Sequence, residues 1–373
     1  MRIVNGRVFN GEQFLNMDVC IQGERFVSAF DYVDDGVVVD AKGQVVAPGL
    51  IDIHFHGCVG RDFCDASVES IADIARYEAS QGVTAICPAT MTYPEEKLAQ
   101  IMDAAAAFAA GEDQAALVGI NMEGPFISPS KVGAQNPLYV QQSDACMLGR
   151  LQERSGELIK LVDVAPEEPG ALEFIRRAHE NVRISLAHTC ASYDDAAAAF
   201  EAGARHMTHL YNAMPGLHHR EPGPIAAAAE RDDVTPEIIC DGVHIHPAMV
   251  RLAFKLFGPQ RMILISDTME AAGLDDGEYS LGGQAVTVRG NRATLHDGTI
   301  AGSNTNLALC LRCAVRDMGI PLGQALRAAT LNPARAIGID DEYGRIALGM
   351  LANCVFLDDD ARVMKVILRG KAL

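Results

Sequence analysis

The segment PGLIDIHFHG, Pro48 to Gly57, is an apolar run that closes on two histidines one residue apart. Successive side chains of a strand point to opposite faces, so His54 and His56 fall on the same side, as two ligands of one metal ion would. HxH alone is a weak motif, and its weight depends on what surrounds it.

Seven further β-like runs follow: VTAICPA (83–89), LVGINME (117–123), IKLVDVA (159–165), VRISLAH (182–188), ARHMTHL (204–210), EIICDG (237–242) and MILISD (262–267). With LIDIHF (50–55) they make eight. Alanine-rich helical stretches such as SVESIADIARYEASQG, PEEKLAQIMDAAAAFAA and HPAMVRLAFKLFG separate them. This alternation predicts an α/β fold, a (β/α)₈ TIM barrel, over residues 48–343. NLALCLRCAVRDMG reads as its final helix, after a hairpin-like insertion, YSLGGQAVTVRGNRATLHDGTI. Residues 1–47 and 344–373 alternate apolar and polar residues between glycine turns, so both chain ends are expected to pair into one small β-sandwich domain.

The 373 residues are 49% apolar, enough for one large core with a smaller companion. No run approaches the 18 or so uninterrupted apolar residues of a membrane helix, and the amino terminus reads as a strand and turn rather than a signal peptide. The ten cysteines are scattered and sit mostly in apolar runs, which suits buried, reduced thiols and a cytoplasmic location. Lys and Arg total 31 against 49 Asp and Glu, a net charge of −18 that argues against nucleic acid or an anionic membrane as partner. A small anionic substrate stays compatible if positive groups gather locally.

Chemistry in such barrels sits at the carboxyl ends of the strands. There the chain places His54 and His56, Glu123, His188, His209, Asp241 with His244, and Asp267. Imidazole and carboxylate ligands suit Zn²⁺ or a similar divalent ion, which lowers the pKa of a coordinated water to about 7. Asp267 is then placed to take a proton and hand it to a leaving group. His179, His206, His218, His219, His246 and His296 are read as packed or surface residues, with His206 opposite His209 by strand parity. GxSxG, P-loop and HExxH motifs are absent.

PGLIDIHFHG resembles the first-strand motif of the amidohydrolase superfamily. INMEGPFISPSKVGAQNP, SLAHT, MTHLYNAMPGLHHREPG, DGVHI, LISDTMEAAG, GTIAGSN and ATLNPARAIGI together resemble the N-acetylglucosamine-6-phosphate deacetylases. The resemblance implies metal ligation by Glu123, His188 and His209, a catalytic Asp267, and a homodimer. It implies substrate contacts at Ala134, Gln135, Asn212, Ala213, Arg220, Asp241, His244, Ile300, Ala301 and Gly302, with Arg220 and His244 as phosphate holders. The implied reaction is hydrolysis of an N-acetyl group from a phosphorylated amino sugar. Where that family is expected to show a GAH loop, this chain has Gly133, Ala134 and Gln135, whose amide can hydrogen-bond a sugar hydroxyl but carries no charge. Some members lack the HxH pair and work with one ion; here His54 and His56 leave room for two, with Glu123 bridging. Zn²⁺ is the expected ion, with Fe²⁺, Mn²⁺ and Co²⁺ as alternatives. N-acetylgalactosamine 6-phosphate is the alternative substrate, another amidohydrolase-type deacylase a rival, and an inactive scaffolding barrel a remote one.

Overall fold

Eight parallel strands run in chain order around a barrel: β1 (Leu50–Asp52), β2 (Val83–Ile86), β3 (Ile120–Met122), β4 (Ile159–Val164), β5 (Arg183–Leu186), β6 (His206–Met207), β7 (Thr235–Ile239) and β8 (Ile263–Ile265). A computed structural model of the chain describes residues 1–373. Each strand pairs in parallel with the next, the β2–β3 seam running through Ala89–Thr90. Past the strand ends the ring closes where the Asp267 N–H donates to the His54 carbonyl and the His56 N–H to that of Thr268.

A helix follows each strand: α1 (Val68–Ser80), α2 (Glu95–Ala107), α3 (Ala145–Ser155), α4 (Ala171–Ala178), α5 (Tyr193–Ala202), α6 (Gly223–Ala229), α7 (Pro247–Phe257) and α8 (Leu307–Arg316). Side-chain caps set several starts. Ser67 accepts from the Ser70 N–H ahead of α1, and Ser192 with Asp195 forms a capping box ahead of α5.

α8 is not the last helix. α9 (Leu322–Ala329) and α10 (Leu331–Ala336) follow, and α10 packs Ala334 and Ala336 against barrel-interior residues including Ile51, Ile263 and Ile265. Asn332 donates to the carbonyls of Pro259 and Met262, pinning this plug below β8. The expected hairpin is a three-stranded antiparallel sheet, Gly277–Leu281, Gln284–Arg289 and Arg292–Leu295, because GEYSL pairs ahead of the first predicted turn.

Both chain ends contribute to a pair of small sheets. Cys354–Leu357 lies between Val363–Leu368 and Val45–Pro48, and the latter pairs on with Arg7–Phe9. The second sheet is N-terminal only, in the order 25–27, 19–22, 2–4, 38–40. Ile3, Val8, Ile21, Phe26, Val46, Phe356 and Ile367 fill the space between the sheets. No helix is long and apolar enough to cross a membrane.

Seven of the ten cysteines are buried and all are unpaired. Cys310 and Cys313 stand one turn apart on α8 with CxxC spacing, which qualifies the scattered pattern; burial raises both thiols, Cys313 to about 11, so they are held as neutral SH groups.

Candidate metal centre

The carboxyl ends of the strands open into a cavity of about 440 Å³ lined by His56, Glu123, His188, His209, His244 and Asp267, among others. Glu123, just past β3, sits at its floor. His188 Nε2 and His209 Nε2 lie 3.0 and 3.1 Å from Glu123 Oε1, and 3.1 Å from each other. On the other side His56 Nε2 stands 3.3 Å from both Glu123 Oε2 and Asp267 Oδ1, and His54 Nε2 is 3.8 Å from Asp267 Oδ1. Two donor groups result, Glu123–His188–His209 and His54–His56–Asp267, each with its atoms within 4.8 Å of one another.

The backbone is bent to achieve this. His188, His209 and Asp267 all adopt positive φ, at 44°, 29° and 51°, a region that costs a residue with a Cβ free energy and that clusters at functional sites. Each is the point where the chain leaves its strand. His54 and His56 do share a side, both Nε2 atoms approaching Glu123 and Asp267 just past β1. Parity fails for His206 and His209, since β6 ends at Met207: His206 turns into the barrel and His209 into the cavity.

Partners behind the rings decide which nitrogen faces the centre. His188 Nδ1 donates to the Lys131 carbonyl (2.9 Å) and His54 Nδ1 to Glu237 Oε2 (2.9 Å), so both present Nε2 inward. His54 Nε2 has no hydrogen-bond partner although it is fully buried. Burial disfavours charge on every member, yet the groups charge one another: Glu237 and Glu123 raise His54 well above its ordinary value, and Asp267 and Glu123 raise His56 to about 10. Glu123, despite burial, is held well below the carboxylate range, first by the His54 charge and then by bonds from His188 and His209. Such a knot of acceptors and carboxylates calls for cations at its centre, and a divalent ion would serve it as these protons do.

Most of the expected residues meet here. Ala134, Gln135, Asn212, Ala213, Ile300 and Gly302 line the cavity. Ala301 is buried in the same turn, and Asp241 stands behind His244, accepting from its Nδ1 at 2.7 Å. Burial works against a charged His244, but Asp241 overcomes it and raises the imidazole. The Ile300–Gly302 turn lies directly on the end of β8: the Ser303 N–H donates to the Asp267 carbonyl, and a Cβ at Gly302 (φ +60°) would stand 3.1 Å from that oxygen. Two positions differ from expectation. Gln135 is buried with its amide engaged, Nε2 donating to Glu123 Oε2 and Oε1 accepting from the Thr92 N–H, both at 2.7 Å, so it braces the carboxylate. Arg220 is exposed and lines a separate groove with Cys190, Tyr193 and His218.

Lys131, Asp297 and Thr299 also line the cavity without having been singled out, and Glu237 lies beneath it. Glu237 was legible: it shares parity with Asp241 on an otherwise apolar strand, which aims a carboxylate into the barrel.

A parallel barrel gathering four imidazoles and two carboxylates at its carboxyl rim is a metal-dependent hydrolase in class. The model of the amidohydrolase family matches residues 45–373. The N-acetylglucosamine-6-phosphate deacetylase of Bacillus subtilis is 39% identical over 332 residues, 88% of this chain and 84% of that protein. An N-acetylgalactosamine-6-phosphate deacetylase of Escherichia coli O157:H7 is 34% identical, over 90% and 89%. Among solved structures, the N-acetyl-D-glucosamine-6-phosphate deacetylase of Mycobacterium smegmatis superposes with TM-score 0.91 at 32% identity over the full length of both chains. The chain belongs to the amidohydrolase family, whose cofactor is a divalent metal ion.

Proposed function

We propose that this enzyme hydrolyses the acetamide of N-acetyl-D-glucosamine 6-phosphate to D-glucosamine 6-phosphate and acetate, in amino sugar catabolism. The observation that carries the reading is the convergence of His188 and His209 on Glu123 at 3.0 and 3.1 Å, with Asp267 facing the same cavity. The names of the B. subtilis and M. smegmatis relatives supply the substrate.

Glu123, His188 and His209 would hold one ion, and His54, His56 and Asp267 a second. Zn²⁺ fits the mixture of imidazole and carboxylate donors. When bound, the ion supplies Lewis-acid polarisation of the acetamide carbonyl and activation of water. The remaining work falls to side chains. The Asp267 carboxylate accepts a proton from the attacking water and returns it to the nitrogen as the C–N bond breaks, so the amine leaves neutral. His244, which Asp241 biases toward its charged form, would face the phosphate, while Asn212, Ala213 and the 300–302 turn shape the sugar pocket. Gln135 steadies Glu123 in place of contacting the sugar. We place the enzyme in the cytoplasm, where its unpaired thiols stay reduced.

Acetate release from N-acetylglucosamine 6-phosphate, its galactose epimer and unphosphorylated N-acetylglucosamine tests the reading. The highest kcat/KM is expected for the first. A preference for the epimer would reassign the substrate, since one hydroxyl separates the two sugars. No release from any of them would overturn the activity.

A homodimer gives Arg220 its role. Lying outside the cavity of its own chain, it can meet phosphate from a twofold partner. Co-expressed Arg220→Ala and Asp267→Asn chains should recover, at low substrate concentration, activity that neither variant shows alone. A monomer by light scattering, or no recovery, would refute the arrangement.

A further inference from the structure

We infer that Glu237 is the positioning residue that ties the two ligand clusters together, fixing the ring of His54 and the backbone of His209 and so setting the affinity for the ion held by His54 and His56. The inference rests on the proposed metal centre and adds to it a residue that touches neither substrate nor ion.

Glu237 lies on β7, fully buried inside the barrel, and does not line the cavity. Three donors meet its carboxylate. Oε2 accepts from His54 Nδ1 at 2.9 Å and from the His209 N–H at 3.2 Å; Oε1 accepts from His206 Nε2 at 3.0 Å, and the far nitrogen of His206 is 2.7 Å from Thr235 Oγ1.

Oε2 already accepts from a backbone N–H, which can only donate, so it serves His54 as an acceptor too. His54 must therefore carry its proton on Nδ1 and offer the lone pair of Nε2, the atom that is otherwise without a partner. The negative charge also makes that lone pair more basic, and loss of such support costs a metal site about 10–100-fold in affinity. At His209 the same oxygen anchors a backbone amide at φ 29°, the conformation that aims the ring at Glu123. One carboxylate thus braces a member of each cluster.

The two obvious substitutions separate charge from contact. In Glu237→Gln the amide oxygen can still serve His54 and His209 if the NH₂ turns to His206, whose neutral ring can move its proton to the Thr235 side. Contact then survives and charge is lost. Glu237→Leu removes both.

Calorimetric titration of Zn²⁺ into chelator-stripped protein, with metal analysis after dialysis, reads the effect. The Leu variant should bind the weaker of two ions about 100-fold less tightly and the Gln variant about 10-fold less tightly. A merely structural role would lower Tm in both while leaving affinity unchanged, and that result would overturn the inference. If the Leu variant does not fold, unchanged affinity in the Gln variant overturns it equally, and weakened affinity supports it. Wild-type protein that takes up no Zn²⁺, Fe²⁺, Mn²⁺ or Co²⁺ would instead sink the metal reading, which is a distinct result.

Discussion

Asp267→Asn is expected to lower kcat by about 10³-fold, within the range of a positioned acid–base group, and to change KM by only a few-fold. The amide has the shape of the carboxylate but cannot take a proton from water or return one to the amine. The residue is primed for this. Burial opposes its charge, but bonding from His56 and the charge of His54 keep Asp267 below its ordinary pKa, the form the proposed proton transfer needs. Its strained backbone (φ 51°) is held on both sides, by the His54 carbonyl accepting its N–H and by the Ser303 N–H on its carbonyl, so the substitution should leave the cavity intact. Steady-state kinetics with metal analysis on the same sample check the result. An Asn variant with wild-type kcat would remove Asp267 from the proton path.

Glu123→Ala should abolish activity by about 10⁴-fold or more and strip the protein of tightly held metal. No other side chain is so central: His188 and His209 approach one oxygen, His56 and Gln135 the other, and His54 stands 3.5 Å away. Its loss takes the only carboxylate from the Glu123–His188–His209 group and a neighbouring anion from His54 and His56, so the first donor group fails outright and the second, still holding Asp267, is weakened. Metal content by elemental analysis decides the matter, and a variant that keeps a full complement of ions would show that Glu123 is not a ligand. Milder damage is expected from Gln135→Ala, which removes a brace and leaves the donor set.

The barrel was readable because apolar strands and alanine-rich helices alternate eight times, and because six of the strands end on an imidazole or carboxylate. The HxH pair was readable because the two histidines alternate with the buried apolar Ile53 and Phe55 just past β1. Parity misled at His206, since a two-residue strand cannot carry alternation three positions on. α10 is not legible in LNPARAIGI because it runs only six residues with a proline at its third helical position. Gln135 and Arg220 show the limit more sharply. Sequence places a residue near a site, but whether its side chain turns to a ligand, to a neighbouring carboxylate or to solvent depends on contacts from distant segments such as Thr92.

The strand Cys354–Leu357 completes its sheet against Val45–Pro48, which runs directly into the segment bearing His54 and His56. The two partners are some three hundred residues apart, so this pairing is among the most non-local contacts of the chain and carries a slow, late closure of the loop between them. During synthesis the strand that leads to the first two histidines must wait, one edge unpaired, until Cys354–Leu357 has left the ribosome. A nascent chain stalled at the barrel's last helix would hold every residue named in the centre and still lack the clamp on its first strand.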